Sequence, residues 1–147
     1  LNLSLAIAGT GPLYDELVTF SRNIGARVEF LGDVENENLV SYLNDSRMYV
    51  LNSTYEATAY SLLEAMSCGL VPVARLKTGS EDVIQQNIDG LLVGGTDYPS
   101  LLDALRVLKN ESEFATRIGS EARNTIIKKF DMKNNYKSIE RMLLNEV

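Results

Sequence analysis

An α/β protein built on a doubly wound parallel sheet is predicted by this sequence, on three observations. Five short apolar runs alternate with segments whose apolar residues recur at helical spacing. The runs are short enough to need cover on both faces, the condition met by parallel strands between helices. After the fifth run only helical periodicity remains.

The first run, residues 3–8, ends at Gly9-Thr10-Gly11-Pro12. Leu13, Leu17, Phe20 and Ile24 then recur at helical spacing, with Pro12 suited to the first turn. Val28-Glu29-Phe30-Leu31-Gly32 reads as the second strand, residues 39–43 as part of a helix, and Met48-Tyr49-Val50-Leu51 as the third strand. A helix near residues 61–68 stops at Gly69, a fourth strand covers residues 71–74, a helix covers about 80–86, and Gly90-Leu91-Leu92-Val93 is the last strand. Three helices close the chain. Leu101, Leu102, Leu105 and Leu108 lie on one face of the first; Phe114, Ile118, Ala122, Ile126 and Ile127 suit the second; Tyr136, Ile139, Met142 and Leu143 suit the third.

With 147 residues, 45% of them hydrophobic, the chain suffices for one core, and residues 1–147 read as one domain. A net charge of −6 without a run of Lys or Arg argues against nucleic acid as a partner. The single cysteine, Cys68, excludes an intrachain disulfide, and the lack of histidine removes the commonest zinc ligand and general base, so no metal site is predicted. No apolar run approaches the roughly 20 residues of a membrane span. The opening Leu1-Asn2-Leu3-Ser4 lacks the charged start of a signal peptide, and the expectation is a soluble, cytoplasmic chain.

Ligands of such sheets bind beyond the carboxyl ends of the strands, so the loops that matter begin at Gly9, Gly32, Asn52, Arg75 and Gly94. Gly9-Thr10-Gly11 lets the backbone approach a phosphate at a helix amino terminus, or is a structural turn; a dinucleotide fingerprint wants a third glycine where Tyr14 stands. Two glutamates eight positions apart, Glu56 and Glu64, are more specific. Ser61-Leu62-Leu63-Glu64 and Thr78-Gly79-Ser80-Glu81 both fit capping boxes, which would account for Glu64 without a ligand. Glu56 has no such partner, and a carboxylate near free helix N–H groups can accept hydrogen bonds from sugar hydroxyls.

The ordered blocks Ile7-Ala8-Gly9-Thr10-Gly11-Pro12, Val28-Glu29-Phe30-Leu31-Gly32, Asn52-Ser53-Thr54-Tyr55-Glu56, Leu63-Glu64-Ala65-Met66, Gly69 and Pro72-Val73-Ala74 resemble the carboxy-terminal, Rossmann-like domain of retaining GT-B glycosyltransferases of family 4. Gly79, Glu81, Asp89-Gly90-Leu91-Leu92-Val93 and Lys129-Phe130-Asp131 extend the match over nearly the whole chain. The resemblance implies a domain that binds a nucleotide-sugar donor, a UDP- or GDP-sugar, as substrate and without a cofactor. Glu56 is the first glutamate of the family's paired motif and would contact the donor sugar together with Ala57, Thr58, Ala59 and Tyr60. Glu64 would hold the ribose; Gly9, Gly11, Leu31, Gly32 and Val34 would border the nucleotide. Retention by front-face attack, assisted by the leaving diphosphate, needs no protein nucleophile, and no catalytic residue is assigned.

Where the family commonly has glycines, this chain has Ala57 and Ala59, which narrow the space for a sugar but keep the N–H donors. The resemblance also places a first βα unit with a cationic diphosphate clamp, and a whole acceptor-binding domain, upstream of Leu1. It therefore implies a fragment of a longer two-domain hexosyltransferase, inactive alone, with the missing strand lying centrally and a dimer of the fragment as one way to fill its place. The parent would extend a polysaccharide, glycolipid or related acceptor, with peripheral association at the inner face of the membrane compatible with such acceptors. Two alternatives stay open: a dinucleotide-binding oxidoreductase domain, resting on Gly9-Thr10-Gly11 and Glu29, and a non-catalytic glycosyltransferase-like partner subunit, resting on Ala57 and Ala59.

Overall fold

The computed structural model describes residues 1–54 and 60–144, in two compact units, Leu1–Tyr42 and Leu43–Val147. The first unit is a parallel pair of strands, β1 (Leu5–Ala8) and β2 (Val28–Gly32), joined through helix α1 (Tyr14–Asn23) and followed by α2 (Asn36–Asn44), which crosses the unit boundary. Leu5, Ala6 and Ile7 pair with Val28, Glu29 and Phe30, and a register shift then sets Ala8 opposite Gly32. Tyr14 of α1 meets Phe30 edge to face, with ring centroids 5.6 Å apart. Gly25, at φ 63°, ends α1 in a Schellman arrangement: its N–H donates to the Arg22 carbonyl, and the Ala26 N–H donates to the Ser21 carbonyl.

The second unit contains the core. Strands β3 (Met48–Leu51), β4 (Val71–Arg75) and β5 (Leu91–Val93) form a parallel sheet with β4 in the centre. The four residues Val71 to Ala74 of β4 are all buried. Alternation along the strands feeds two clusters. Leu51, Ala74 and Leu92 pack with Leu62 and Met66 of α3 (Tyr60–Ser67) and Ala122 of α5 (Ser112–Lys129). Val71, Val73, Leu91 and Val93 pack with Ala104 and Leu108 of α4 (Leu101–Asn110) and with Ile118 of α5. Side chains of helices thus cover both faces of the sheet, as the apolar runs require. A sixth helix, α6 (Met132–Leu143), closes the described chain.

Local chemistry sets the ends of these elements. Ser100 caps α4: its hydroxyl accepts from the Asp103 N–H and donates to the Asp103 carboxylate at 2.6 Å. Gly69, at φ 82°, ends α3, donating to the Met66 carbonyl while Leu70 donates to that of Ala65. Gly119 lets α5 approach this turn closely, since a Cβ there would run into the Gly69 carbonyl oxygen.

Two expectations change. The five strands form two ladders, β1-β2 and β3-β4-β5, instead of one sheet; in the doubly wound order that the resemblance implies, β1 and β3 are separated by a central strand and so are not pairing partners. The helix expected over 80–86 shrinks to one 3-10 turn, Ser80–Asp82. Gly79 enters that turn at φ 89°, and the following segment closes instead on the side chains of Asp89 and Gln86, which take the N–H groups of Gln85 and Leu92.

Candidate functional site

In the first unit, Gly9, Gly11, Leu31, Gly32 and Val34 gather at the carboxyl ends of β1 and β2 and the turns that follow. Gly9 follows β1 at φ 119°, and its N–H donates to the carbonyl of Gly32, itself at φ 66°, at 2.6 Å. Open space surrounds the Cβ positions of Gly9, Gly11 and Gly32, so close approach of backbone to a ligand is sterically open there. The Gly11 carbonyl accepts from the Tyr14 N–H, leading the chain into α1. No side chain caps α1, but Asp15 and Glu16 occupy its first turn and already oppose the positive end of the helix dipole. An anion at this terminus would meet two carboxylates, which disfavours the turn as a phosphate site on its own.

In the second unit, parallel pairing brings the carboxyl ends of β3, β4 and β5 to one edge. Glu56, Ala57, Thr58 and Ala59 lie outside the described residues. Tyr60 opens α3 as described, and Glu64 stands four residues on, so the two share one exposed face while Leu62, Ala65 and Met66 turn into the core. Glu64 does not reach back to Ser61. Ser61 lies inside α3, and its hydroxyl accepts from the Tyr49 hydroxyl of β3 at 2.7 Å. The Glu64 carboxylate is exposed and has no hydrogen-bond partner among the described residues; a carboxylate can accept from hydroxyl donors.

The loop after β4 meets the other capping box halfway. Glu81 Oε2 accepts from the N–H groups of Thr78 at 3.3 Å and Gly79 at 3.2 Å. The reciprocal bond is replaced: the buried Thr78 hydroxyl donates to the Arg75 carbonyl at 2.7 Å and lies 3.1 Å from the Ser80 hydroxyl. Beside this loop a shallow cavity of about 300 Å³ is lined by Leu76, Lys77 and the Gly94–Tyr98 stretch beyond β5. Lys77 lines the cavity, and Arg75 is exposed at the end of β4. No group of three or more Cys, Asp or Glu side chains among the described residues is arranged to hold a metal.

Two structural anchors escape sequence reasoning. Asp89 is 2% exposed, and its oxygens accept from the Gln85 N–H at 2.6 Å and the Thr125 hydroxyl at 2.7 Å, tying the loop before β5 to α5. Arg123 of α5 donates to the Ser67 carbonyl at 2.7 Å, satisfying an end of the helix that carries Glu64. Partners 36 and 56 positions away leave no local pattern to read.

Residues 1–125 match the glycosyl transferases group 1 family. The chain is 31% identical over 126 residues to a GalNAc-alpha-(1->4)-GalNAc-alpha-(1->3)-diNAcBac-PP-undecaprenol α-1,4-N-acetyl-D-galactosaminyltransferase of Campylobacter jejuni, covering 83% of this chain and 34% of that protein. It is 31% identical over 133 residues to the N-acetyl-α-D-glucosaminyl L-malate synthase of Bacillus anthracis, covering 88% and 34%. Among solved structures, Anabaena HepE in complex with UDP superposes with a TM-score of 0.86 at 20% identity, over 97% of this chain and 41% of that one. The chain spans about a third of the length of these curated relatives. Family match and fold agree: the chain belongs to the glycosyl transferases group 1 family and has the fold of a GT-B carboxy-terminal domain.

Proposed function

We propose that the chain is the donor-binding part of a retaining glycosyltransferase that moves a sugar from a nucleotide-sugar, a UDP- or GDP-sugar, to a polysaccharide, glycolipid or related acceptor. The observation that carries this reading is the face of α3. Tyr60 and Glu64 project together from the helix that starts at the carboxyl edge of β3, and the Glu64 carboxylate is left without a partner among the described residues. In this reading Glu64 accepts hydrogen bonds from the ribose hydroxyls, and Glu56 with Ala57, Thr58, Ala59 and Tyr60 surrounds the sugar. The turns at Gly9, Gly11, Leu31, Gly32 and Val34 border the nucleotide. Acceptor binding belongs to an upstream domain of a longer parent, which works at the cytoplasmic side without a protein cofactor.

The chemistry asked of the described residues is positioning. No described side chain needs to act as nucleophile when the leaving diphosphate itself assists attack on the same face. Charge at the edge is sparse: Lys77 and Arg75 are the cations there, in a chain of net charge −6. The 147-residue chain alone should therefore hold a nucleoside diphosphate weakly and transfer no sugar.

A binding screen of a longer parent against UDP, GDP, their hexose conjugates and NAD tests the reading. A nucleoside diphosphate and its sugar conjugate should bind, with NAD silent. Selective NAD binding would instead establish the oxidoreductase alternative, and silence towards every nucleotide the non-catalytic one.

A further inference from the structure

Glu64 stands midway along α3 between two attachments of that helix to other elements. Three residues before it, the Ser61 hydroxyl accepts from the Tyr49 hydroxyl of β3 at 2.7 Å. Three residues after it, the Ser67 carbonyl accepts from Arg123 of α5 at 2.7 Å, while the Ser67 hydroxyl donates to the Glu64 carbonyl, also at 2.7 Å. Residues three apart are neighbours on a helix surface, so Ser61 and Glu64 share one side of α3. The two attachments differ in kind. Arg123 takes up a main-chain carbonyl of the sort that every helix end leaves open, whereas Tyr49 grips a side chain that the helix does not need for its own hydrogen bonding.

Tyr49 reaches Ser61 through strand alternation: Tyr49 and Leu51 turn to the same face of β3, and Tyr49 packs there against the cluster that holds Leu51, Leu62 and Met66. A phenylalanine would keep that packing. The hydroxyl adds a directional bond. Burial of Leu62, Ala65 and Met66 holds the inner face of α3, but the force behind it has no direction. A hydrogen bond weakens steeply away from its preferred angle, so one made at the first turn favours a single roll of the helix about its axis.

We infer that Tyr49 is a positioning residue for nucleotide binding: through Ser61 its hydroxyl sets the roll of α3, and with it the direction in which the Glu64 carboxylate meets the ribose hydroxyls. The inference rests on the reading of Glu64 as the ribose-binding group. Any roll of the helix is carried out to the tip of a glutamate, and a carboxylate that must accept from two hydroxyls of one ring tolerates little of it.

Calorimetric titration of a longer parent with the diphosphate it prefers, UDP or GDP, and with the dideoxy counterpart that lacks both ribose hydroxyls, separates aim from stability. The unaltered protein should favour the ribose form. Tyr49→Phe and Ser61→Ala should each weaken the ribose form about twofold to tenfold, the loss expected of one neutral hydrogen bond, and leave the dideoxy form unchanged. The double variant should lose no more than either single one, since both remove the same bond. Equal weakening of the two forms, or a lowered melting temperature with unchanged affinities, would show a merely structural bond and overturn the inference. A Tyr49→Phe variant that binds normally while Glu64→Gln loses affinity for the ribose form would overturn it alone and leave the role of Glu64 standing. An unaltered protein that ignores the ribose hydroxyls, with Glu64→Gln silent as well, would remove the reading of Glu64 and the inference together.

Discussion

The two units differ in where they keep their apolar residues. In Leu43–Val147 both faces of the β3-β4-β5 sheet are sealed, and Met66, Val73 and Ile118 have no exposed surface. In Leu1–Tyr42 the only buried residue is Ser21, while Leu13, Leu17, Phe20 and Ile24 run along α1 at 44% to 60% exposure. The same kind of amphipathic pattern therefore stands for a filled core in one unit and an open stripe in the other. Periodicity marks which residues seek cover, and burial decides how much stability they return. A two-stranded parallel pair is too small to be stable by itself, so cohesion in this molecule resides in the second unit.

Substitutions break or sharpen that contrast. The largest loss should come from Ile118→Ala, which empties the cluster between α4, α5 and the sheet and should cost about 3 to 4 kcal/mol in chemical denaturation. Phe20→Ala, a larger truncation on the exposed face of α1, should cost under about 1 kcal/mol; similar losses at the two sites would erase the contrast. Asp89→Ala removes a buried acceptor from both the Gln85 N–H and the Thr125 hydroxyl and should cost about 2 to 3 kcal/mol. Gly119→Ala should cost about 1 to 3 kcal/mol by forcing α5 off the Gly69 carbonyl, although alanine is the better helix former. A gain in stability there would show that the contact is not tight.

The smallest effect concerns the α4 cap. The Ser100 hydroxyl, opposed by desolvation and helped by Arg106, holds the Asp103 carboxyl below the usual carboxylate range. Because the folded state has the lower pKa, this contribution is present above the unfolded value near pH 4 and is lost as pH falls through the folded value. Ser100→Ala should cost about 1 kcal/mol at neutral pH, and its penalty should shrink on acidification below about pH 4. A penalty that stays constant with pH would mean that the carboxylate is not coupled to the cap.

Much of this was legible because strands and caps are local. Val28–Gly32 and Met48–Leu51 are bounded in the structure as their apolar runs are bounded in the sequence, and Gly69 stops α3 where a left-handed residue is needed. The failures have nonlocal causes. Ser61 fits a capping box on paper, yet it lies inside α3 and its hydroxyl accepts from Tyr49 of the strand before. The run after Gly79 has helical composition, yet Asp89 and Gln86 draw its backbone into turns through side chains placed by β5 and α5. In the candidate site the sequence pointed to Glu64 through its spacing from Glu56, while Arg123, which satisfies the end of α3, was invisible.

Calorimetric titration of a longer parent with UDP and GDP, before and after Glu64→Gln, tests most directly whether the Glu64 carboxylate serves a nucleotide. Affinity for the preferred diphosphate should fall by about tenfold to a hundredfold, the loss of one charge-assisted hydrogen bond worth about 1.5 to 3 kcal/mol, with the melting temperature unchanged. Unaltered affinity alongside a lowered melting temperature would contradict the assignment and return Glu64 to a role in holding α3.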